Sequence, residues 1–332
     1  MACNPDDQPP ANPDGELTLV SPPDDAHYQA WEIFDPALRD YDADPQAKNA
    51  NRYFNRRVKG AAGEAGLEWS ADIPPLLPGM GQVMKSYVKL QRPNRFQANY
   101  QFRADLETRG TLDEQGWVVY DEDLPQTRAY SIAFRMPEDF TYSTRGNAVP
   151  GAIERGGYNW IVAQWLDFSS PVTPPFAIHM RGRDLLFRNK LHATWDTIAL
   201  HVDQHFANGE WIVFLAIARW SFGNQGSFVL YYDWVDPAAP RATAWKEAYR
   251  LERTATMHPD VVKRATPMFK VGGYYWLLKH EDINQHWWEE GLGVNRELVM
   301  YYDLWRGITL VDRPFATFDE DDIKDYFGWT VE

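Results

Sequence analysis

From about residue 84 the hydrophobic and polar positions fall into short runs, some alternating and some almost unbroken, rich in β-branched and aromatic residues. They read "SYVKLQ", "FQANYQFRADLE", "GWVVYD", "AYSIAFRM", "NWIVAQWLDF", "FAIHMRG", "DLLFRN", "TIALHVD", "EWIVFLAIARWS", "GSFVLYYDWV", "MFKVGGYYWLLKH" and "ELVMYYDLWRGITLV". Turn-forming stretches such as "PEDF", "SSPVTPP", "RGRD" and "NQG" separate them. Runs of this length and texture predict strands. About a dozen of them predict an all-β fold, a β-jelly roll sandwich of two antiparallel sheets with a concave cleft. No helix-period segment of convincing length interrupts the series, and no solenoid or propeller repeat is present. Residues 1–25, acidic and Pro-rich, predict a disordered N-terminal segment. Residues 26–332 predict a single domain, whose opening part mixes short polar segments with Pro-rich turns such as "DIPPLLPGMG".

Composition narrows the class. With 332 residues, 44% hydrophobic and 15% aromatic, the chain can bury a large core. No apolar run is long enough to span a bilayer. Cys3 is the only cysteine, so an intramolecular disulfide and a cysteine-based zinc site are both excluded. Its setting in "MACNPDDQPPANPDG" resembles the mature start of a bacterial lipoprotein, which implies a lipid anchor at Cys3 and a secreted, periplasmic or cell-surface location; the other reading is an ordinary disordered N-terminus. The formal charge of −14 argues against nucleic acid as a partner. An acidic polymer could be held only in a locally basic cleft. A monomer is expected.

Three predicted strands carry unusual polar positions. By period-two alternation Arg103, Asp105 and Glu107 share one face of "RADLE". In "AQWLD", Gln164 and Leu166 share a face opposite Trp165 and Asp167, and in "FKVGGYYW" Lys270, Gly272, Tyr274 and Trp276 share a face. In this order the three segments resemble the signature of the jelly-roll polysaccharide lyases: the alginate lyases of polysaccharide lyase family 7 and the related glucuronan and heparin lyase I-like enzymes. Those enzymes have an Arg-x-Glu strand, a Gln-x-His strand and a Lys-x-Gly-x-Tyr strand. The resemblance covers roughly residues 95–312 and includes "AYSIAFRMPEDF", the hairpin "ARWSFGNQGSFVLYYD" and the closing "VMYYDLWRGI".

The resemblance implies cleavage of a uronate polymer by β-elimination, in which the C5 proton is removed and the C4 oxygen expelled. Gln164 and Arg103 would hold the C6 carboxylate and stabilise the enolate-like charge that develops. Tyr274 would move the proton, with Lys270 and Arg103 favouring its phenolate. Gly272 would leave room for a sugar ring beside the backbone. Leu166 departs from the pattern, since the family often has histidine there. Either His179 or His192 reaches the cleft instead, or Tyr274 works alone. One residue can be both base and acid only when proton and leaving oxygen are on the same side of the ring, which favours D-mannuronate or D-glucuronate. Trp276, Trp287 and Trp288 are candidates for stacking on sugars. Arg181, Arg183, Arg188 and Lys190 are candidates for a basic groove.

Blander readings stand beside these. A lone strand tyrosine usually packs and a lone lysine is usually solvated. Arg103 could pair with Asp105 or Glu107, whereas Gln164 in an apolar strand would be costly to bury unpaired and so favours a cleft position. A retaining glycoside hydrolase would need two carboxylates about 5 Å apart on one strand, and "RADLE" with its arginine suits anion binding better. A noncatalytic carbohydrate-binding protein on the same fold is the alternative. The eight histidines form no metal-ligand spacing, so the chemistry calls for no metal or cofactor, and only a structural Ca2+ is left open.

Overall fold

A computed structural model describes residues 17–19, 28–32, 54–59, 65–76, 82–97, 103–108, 126–142, 159–167, 174–181, 184–191, 196–199, 208–235, 241–259, 267–275, 278, 280–310 and 319–331. The strands are β1 (Leu17–Leu19), β2 (Tyr28–Glu32), β3 (Phe54–Lys59), β4 (Ala65–Ser70), β5 (Val83–Lys89), β6 (Arg103–Thr108), β7 (Gln126–Arg135), β8 (Asn159–Leu166) and β9 (Phe176–Arg181). They continue as β10 (Asp184–Asn189), β11 (Asp196–Ala199), β12 (Trp211–Trp220), β13 (Gly226–Val235), β14 (Lys246–Thr254), β15 (Met268–Tyr274), β16 (Glu297–Leu310) and β17 (Trp329–Val331). Two helices, α1 (Glu281–Glu290) and α2 (Glu320–Phe327), complete the described elements.

A seven-stranded sheet runs β11-β10-β9-β8-β15-β6-β3 and an eight-stranded one runs β14-β13-β12-β7-β16-β5-β4, with β2 on β16. Pairing within both is antiparallel. The chain crosses repeatedly between the sheets, giving a sandwich of the jelly-roll class. Its core interleaves aromatic rings from both: Phe176 of one sheet stacks on Phe228 of the other at 4.2 Å, and Trp165 stacks on Phe269 at 5.0 Å beneath Tyr130. Such pairs explain the aromatic richness of the strands, because a ring fills the gap between sheets with little rotamer entropy to lose.

The eight-stranded sheet is buried on both faces. α2 is capped by Asp319, whose carboxylate accepts from the backbone N–H groups of Asp321 and Asp322. It lays Ile323, Tyr326 and Phe327 on Ala129, Leu215, Ile217 and Val229 of the outer face. That double cover is why β12 and β13 read as nearly continuous hydrophobic runs. At the rim of the other sheet, buried Asp167 accepts from the His258 backbone N–H at 3.0 Å and lies 2.7 Å from His258 Nδ1, while His258 Nε2 lies 2.7 Å from the Lys190 carbonyl. This contact ties the turn after β14 to the ends of β8 and β10.

The structure corrects the pattern reading in several places. The "MFKVGGYYWLLKH" run is strand only to Tyr274, and helix α1 begins at Glu281 where the sequence showed no helix of convincing length. Only Ile283, Asn284 and Trp287 of α1 are buried, a one-turn spacing too sparse to stand out. β14 was missed because it is a charged edge strand whose burial stays shallow throughout. Within residues 1–25, Leu17–Leu19 pairs antiparallel with Trp329–Val331, so disorder is the wrong reading for those three residues. The "GWVVYD" run and Cys3 lie outside the described residues.

Candidate active site

The three strands singled out by sequence are neighbours, in the order β8-β15-β6. Two cross-strand rows emerge from the register. In the first, Arg103 is opposite Tyr274, Tyr274 opposite Ile161, and Ile161 opposite His179. In the second, Glu107 is opposite Lys270, Lys270 opposite Gln164, and Gln164 opposite Ala177, which in turn faces Arg188 of β10. Residues directly opposite in a sheet share a face, so both rows lie on one side. With strands about 4.8 Å apart and a rise of about 3.3 Å per residue, the rows are separated by roughly 10 to 13 Å. That is the span of two or three sugar units.

The core-facing neighbours Trp165, Phe269 and Val271 belong to the apolar cluster between the sheets, and Ile161 and Ala177, the buried apolar members of the rows, do not. The rows therefore occupy the outer face of the seven-stranded sheet. Gln164, Lys270 and His179 are 4%, 1% and 2% exposed, whereas Tyr274 is half-buried. Arg188 is half-buried. Burial and the nearby Arg188 charge hold the His179 imidazole well below its usual range, so this ring is neutral.

Gly272 and Gly273 are required for different reasons. Gly272 has φ of 126°, a conformation closed to L side chains, and lies where the register of β15 against β8 slips between Val271 and Tyr274. The slip is a β-bulge, and it re-aims the residue that follows. At Gly273 a Cβ would meet the Tyr275 ring at 2.4 Å, and its N–H donates to Ser86 Oγ of the opposite sheet at 2.9 Å. Tyr274 thus turns to the outer face while Tyr275, fully buried, has its phenol pushed up by burial and donates to the Leu298 carbonyl.

Matched to this geometry, a family profile described as polysaccharide lyase covers residues 93–304, well over half of the chain and all three motif strands. The chain belongs to the polysaccharide lyase family. Among solved structures, an endo-β-1,4-glucuronan lyase from the fungus Trichoderma reesei superposes on 77% of this polysaccharide lyase and 93% of its own chain, at 13% identity and a TM-score of 0.46. The PL-14 alginate lyase from Aplysia kurodai covers 76% of this chain and 89% of its own, at 7% identity and a TM-score of 0.43. A botulinum neurotoxin D/C binding domain covers 84% of this chain with 47% of its own, at 10% identity and a TM-score of 0.40. A search of curated proteins finds no match.

The remaining candidates distribute unevenly across the lyase. Arg103 and Arg181 are placed by their backbones, Arg181 at the end of β9 opposite Asp184. Trp276, Arg183 and His192 lie outside the described residues. Trp287 is fully buried in the core, which removes it as a sugar platform; Trp288 is half-buried. Leu166 is opposite Met268, on the far side of Gln164 from Tyr274, so the residue at the family's histidine position is not a neighbour of Tyr274 here. Sequence reading also passed over β3, where Lys59 is in register with Arg103 and Arg57 with Asp105. The signal was present as the alternation Asn55, Arg57, Lys59 in a segment read only as polar. No described helix is long and apolar enough to cross a membrane.

Proposed function

We propose that this polysaccharide lyase cuts a polymer of D-mannuronate or D-glucuronate by β-elimination, on the outer face of the seven-stranded sheet. The observation that carries the reading is the pair of rows, with Tyr274 in register with Arg103 and Lys270 with Gln164. A polymer lying across the rows has one uronate on the first, its C6 carboxylate beside the position of Arg103, which lowers the barrier to forming the enolate-like anion at C5, and Gln164 reaches that carboxylate or the one on the next unit from the second. The Tyr274 phenolate takes the C5 proton, the electron pair closes a C4–C5 double bond, and the C4–O bond breaks. The same phenol then protonates the departing oxygen. The products are an unsaturated uronate end and a new chain end, and no water is consumed. Neutral His179, in the Tyr274 row, suits donation of a hydrogen bond to the carboxylate better than ion pairing with it. Lys270, buried between the positions of Glu107 and Gln164, is a positioning residue for the second row. Polymers of this kind are met outside the cell, which supports a secreted or cell-surface location.

The test is incubation with polymannuronate, polyglucuronate, polyguluronate and a neutral glucan, following the ultraviolet absorbance of the unsaturated product. The expected result is product from one or both D-uronate polymers and none from the glucan. Binding of a polyuronate without product would establish the noncatalytic carbohydrate-binding alternative instead.

A further inference from the structure

A second feature, built from none of the residues in the two rows, is a pocket of ≈ 480 Å³ at the end of β5. Its volume is in the range that holds one or two sugar rings. Four cations line it, Lys89, Arg92, Arg95 and Arg296, against the single carboxylate of Glu297, in a protein whose net charge is −14. Lys89 lies 3.8 Å from Glu297, so the three arginines are the local excess.

Two observations indicate a ligand rather than a merely basic surface. The first is Gln91, 7% exposed and lining the pocket. Its backbone is held on both sides by the Asn284 amide, at 3.0 and 2.8 Å, and its Oε1 accepts from the Gln97 N–H at 2.8 Å. Its Nε2 is buried with no hydrogen-bond partner among the described residues. A buried donor left in this state is costly, and an acceptor entering the pocket removes that cost. The second is the backbone at Asn295 and Arg296. Val294 and Glu297 exchange backbone hydrogen bonds of 2.9 Å, and the two residues between them have φ of 52° and 66°. This is the primed two-residue turn, whose second position favours glycine. Here that position is arginine, held in a conformation unfavourable to its backbone. Its Nε donates to the Trp288 carbonyl at 3.0 Å, and its guanidinium lies 4.9 Å from the Trp288 ring centroid. Strain retained at a charged residue that is fixed over a ring and aimed at a pocket is the pattern of a ligand clamp.

We propose that this pocket is an accessory subsite for a carboxylate-bearing sugar unit. The arginines take the carboxylate, and Gln91 Nε2 donates to a carboxylate or hydroxyl oxygen. The identity of the ligand rests on the uronate-polymer reading above. The pocket holds a remote part of the polymer and takes no part in bond breaking. It therefore acts on affinity and KM, and leaves kcat alone.

The test uses the full chain carrying Tyr274→Phe, so that nothing is consumed, with calorimetric binding of D-glucuronate and D-mannuronate octasaccharides and a neutral glucan octasaccharide as control. Arg92→Ala with Arg95→Ala, and separately Arg296→Gly, are each expected to weaken acidic octasaccharide binding at least tenfold and to flatten its decline with salt. Glycine relieves the turn, so the Arg296→Gly melting temperature should hold or rise. In the background with Tyr274 intact, KM on polymer rises in these variants while kcat is kept. Binding unchanged in the Arg92/Arg95 variant overturns the proposal, as does an Arg296→Gly protein that loses affinity only in step with its melting temperature. The absorbance assay separates the two readings. Arginine-dependent binding of acidic octasaccharides with no unsaturated product sinks the elimination reading and supports this subsite. Product formation with KM indifferent to the arginines does the reverse.

Discussion

The two sheets use their outer faces in opposite ways. On the eight-stranded sheet, Ala129, Leu215, Ile217, Val229 and Ile308 are covered by Ile323, Tyr326 and Phe327 of α2, and the charges buried on that face have partners in it, as Asp233 has in Arg241 at 2.6 Å and Arg306 in the Tyr326 ring at 4.4 Å. On the seven-stranded sheet, the face away from the core presents Gln164, His179, Lys270 and Tyr274. Taking a lysine, a histidine and a glutamine nearly out of water is expensive unless each is partnered, and here these residues fall on the motif strands and their neighbour β9. On the reading proposed above, the contrast separates the sheet that holds the fold from the sheet that carries the chemistry, and four changes test that separation.

The largest effect is expected at Tyr274. Tyr274→Phe removes only a hydroxyl, and loss of the proton carrier should lower turnover by about 10³-fold or more, with the melting temperature and octasaccharide affinity near wild type. Turnover close to normal would take Tyr274 out of the mechanism.

On the other sheet, Phe327→Ala empties a fully buried site between α2 and the strands. It should cost about 3–5 kcal/mol in a denaturant titration and leave kcat unchanged at temperatures where the protein stays folded. A large fall in kcat without loss of stability would show that the two sheets are not separable in this way.

Ser86→Ala probes a hydrogen bond by which the eight-stranded sheet reaches the bulge. It strands the Gly273 N–H, at a cost of about 1–3 kcal/mol, and frees the segment that aims Tyr274. Turnover should fall while affinity for octasaccharide changes little. Rescue by Ser86→Thr would identify the hydroxyl as the cause.

The smallest effect is in the pH dependence of stability. His179 is neutral in the folded protein with its pKa lowered, so below about pH 6.5 the unfolded chain binds the extra proton and the folded one does not. Stability from this residue is complete above that pH and declines as pH falls towards the folded value, by up to about 1.4 kcal/mol per pH unit. His179→Gln should remove this part of the acid-side slope. An identical slope in wild type and variant would contradict a neutral buried ring.

Strands with dense aromatic and β-branched residues were legible because their side chains must fill the space between two sheets, and that demand is written in the order of residues. The charged edge strand β14 was not, since an edge exposed to water tolerates "KEAYRLERT" as readily as a loop does. α1 was hidden because two of its three buried residues, Ile283 and Trp287, are what a strand would also bury. At the candidate site, Arg103, Gln164, Lys270 and Tyr274 were visible as polar interruptions of apolar runs. The Trp287 assignment failed because residue type alone does not tell an aromatic facing the core from one facing solvent.

By itself, then, the order of residues determined the fold class, the family resemblance and the identity of the three polar strands, since alternation and composition act locally along the chain. It also required glycine at 272, although the reason is the backbone conformation and not only the room it leaves. Which residues share a row was decided by tertiary structure. Register against β8 brings His179, and not position 166, into line with Tyr274. The support of Gly273 by Ser86 depends on a contact 187 residues distant in sequence. The pocket of Gln91 and Arg296 likewise draws on the end of β5, the 92–97 segment, α1 and the turn before β16. The physical reason is common to all three. Cross-strand and cross-sheet neighbours are set by register, bulges and crossovers, which depend on how the whole core packs, while a local pattern specifies only the face on which a side chain will lie.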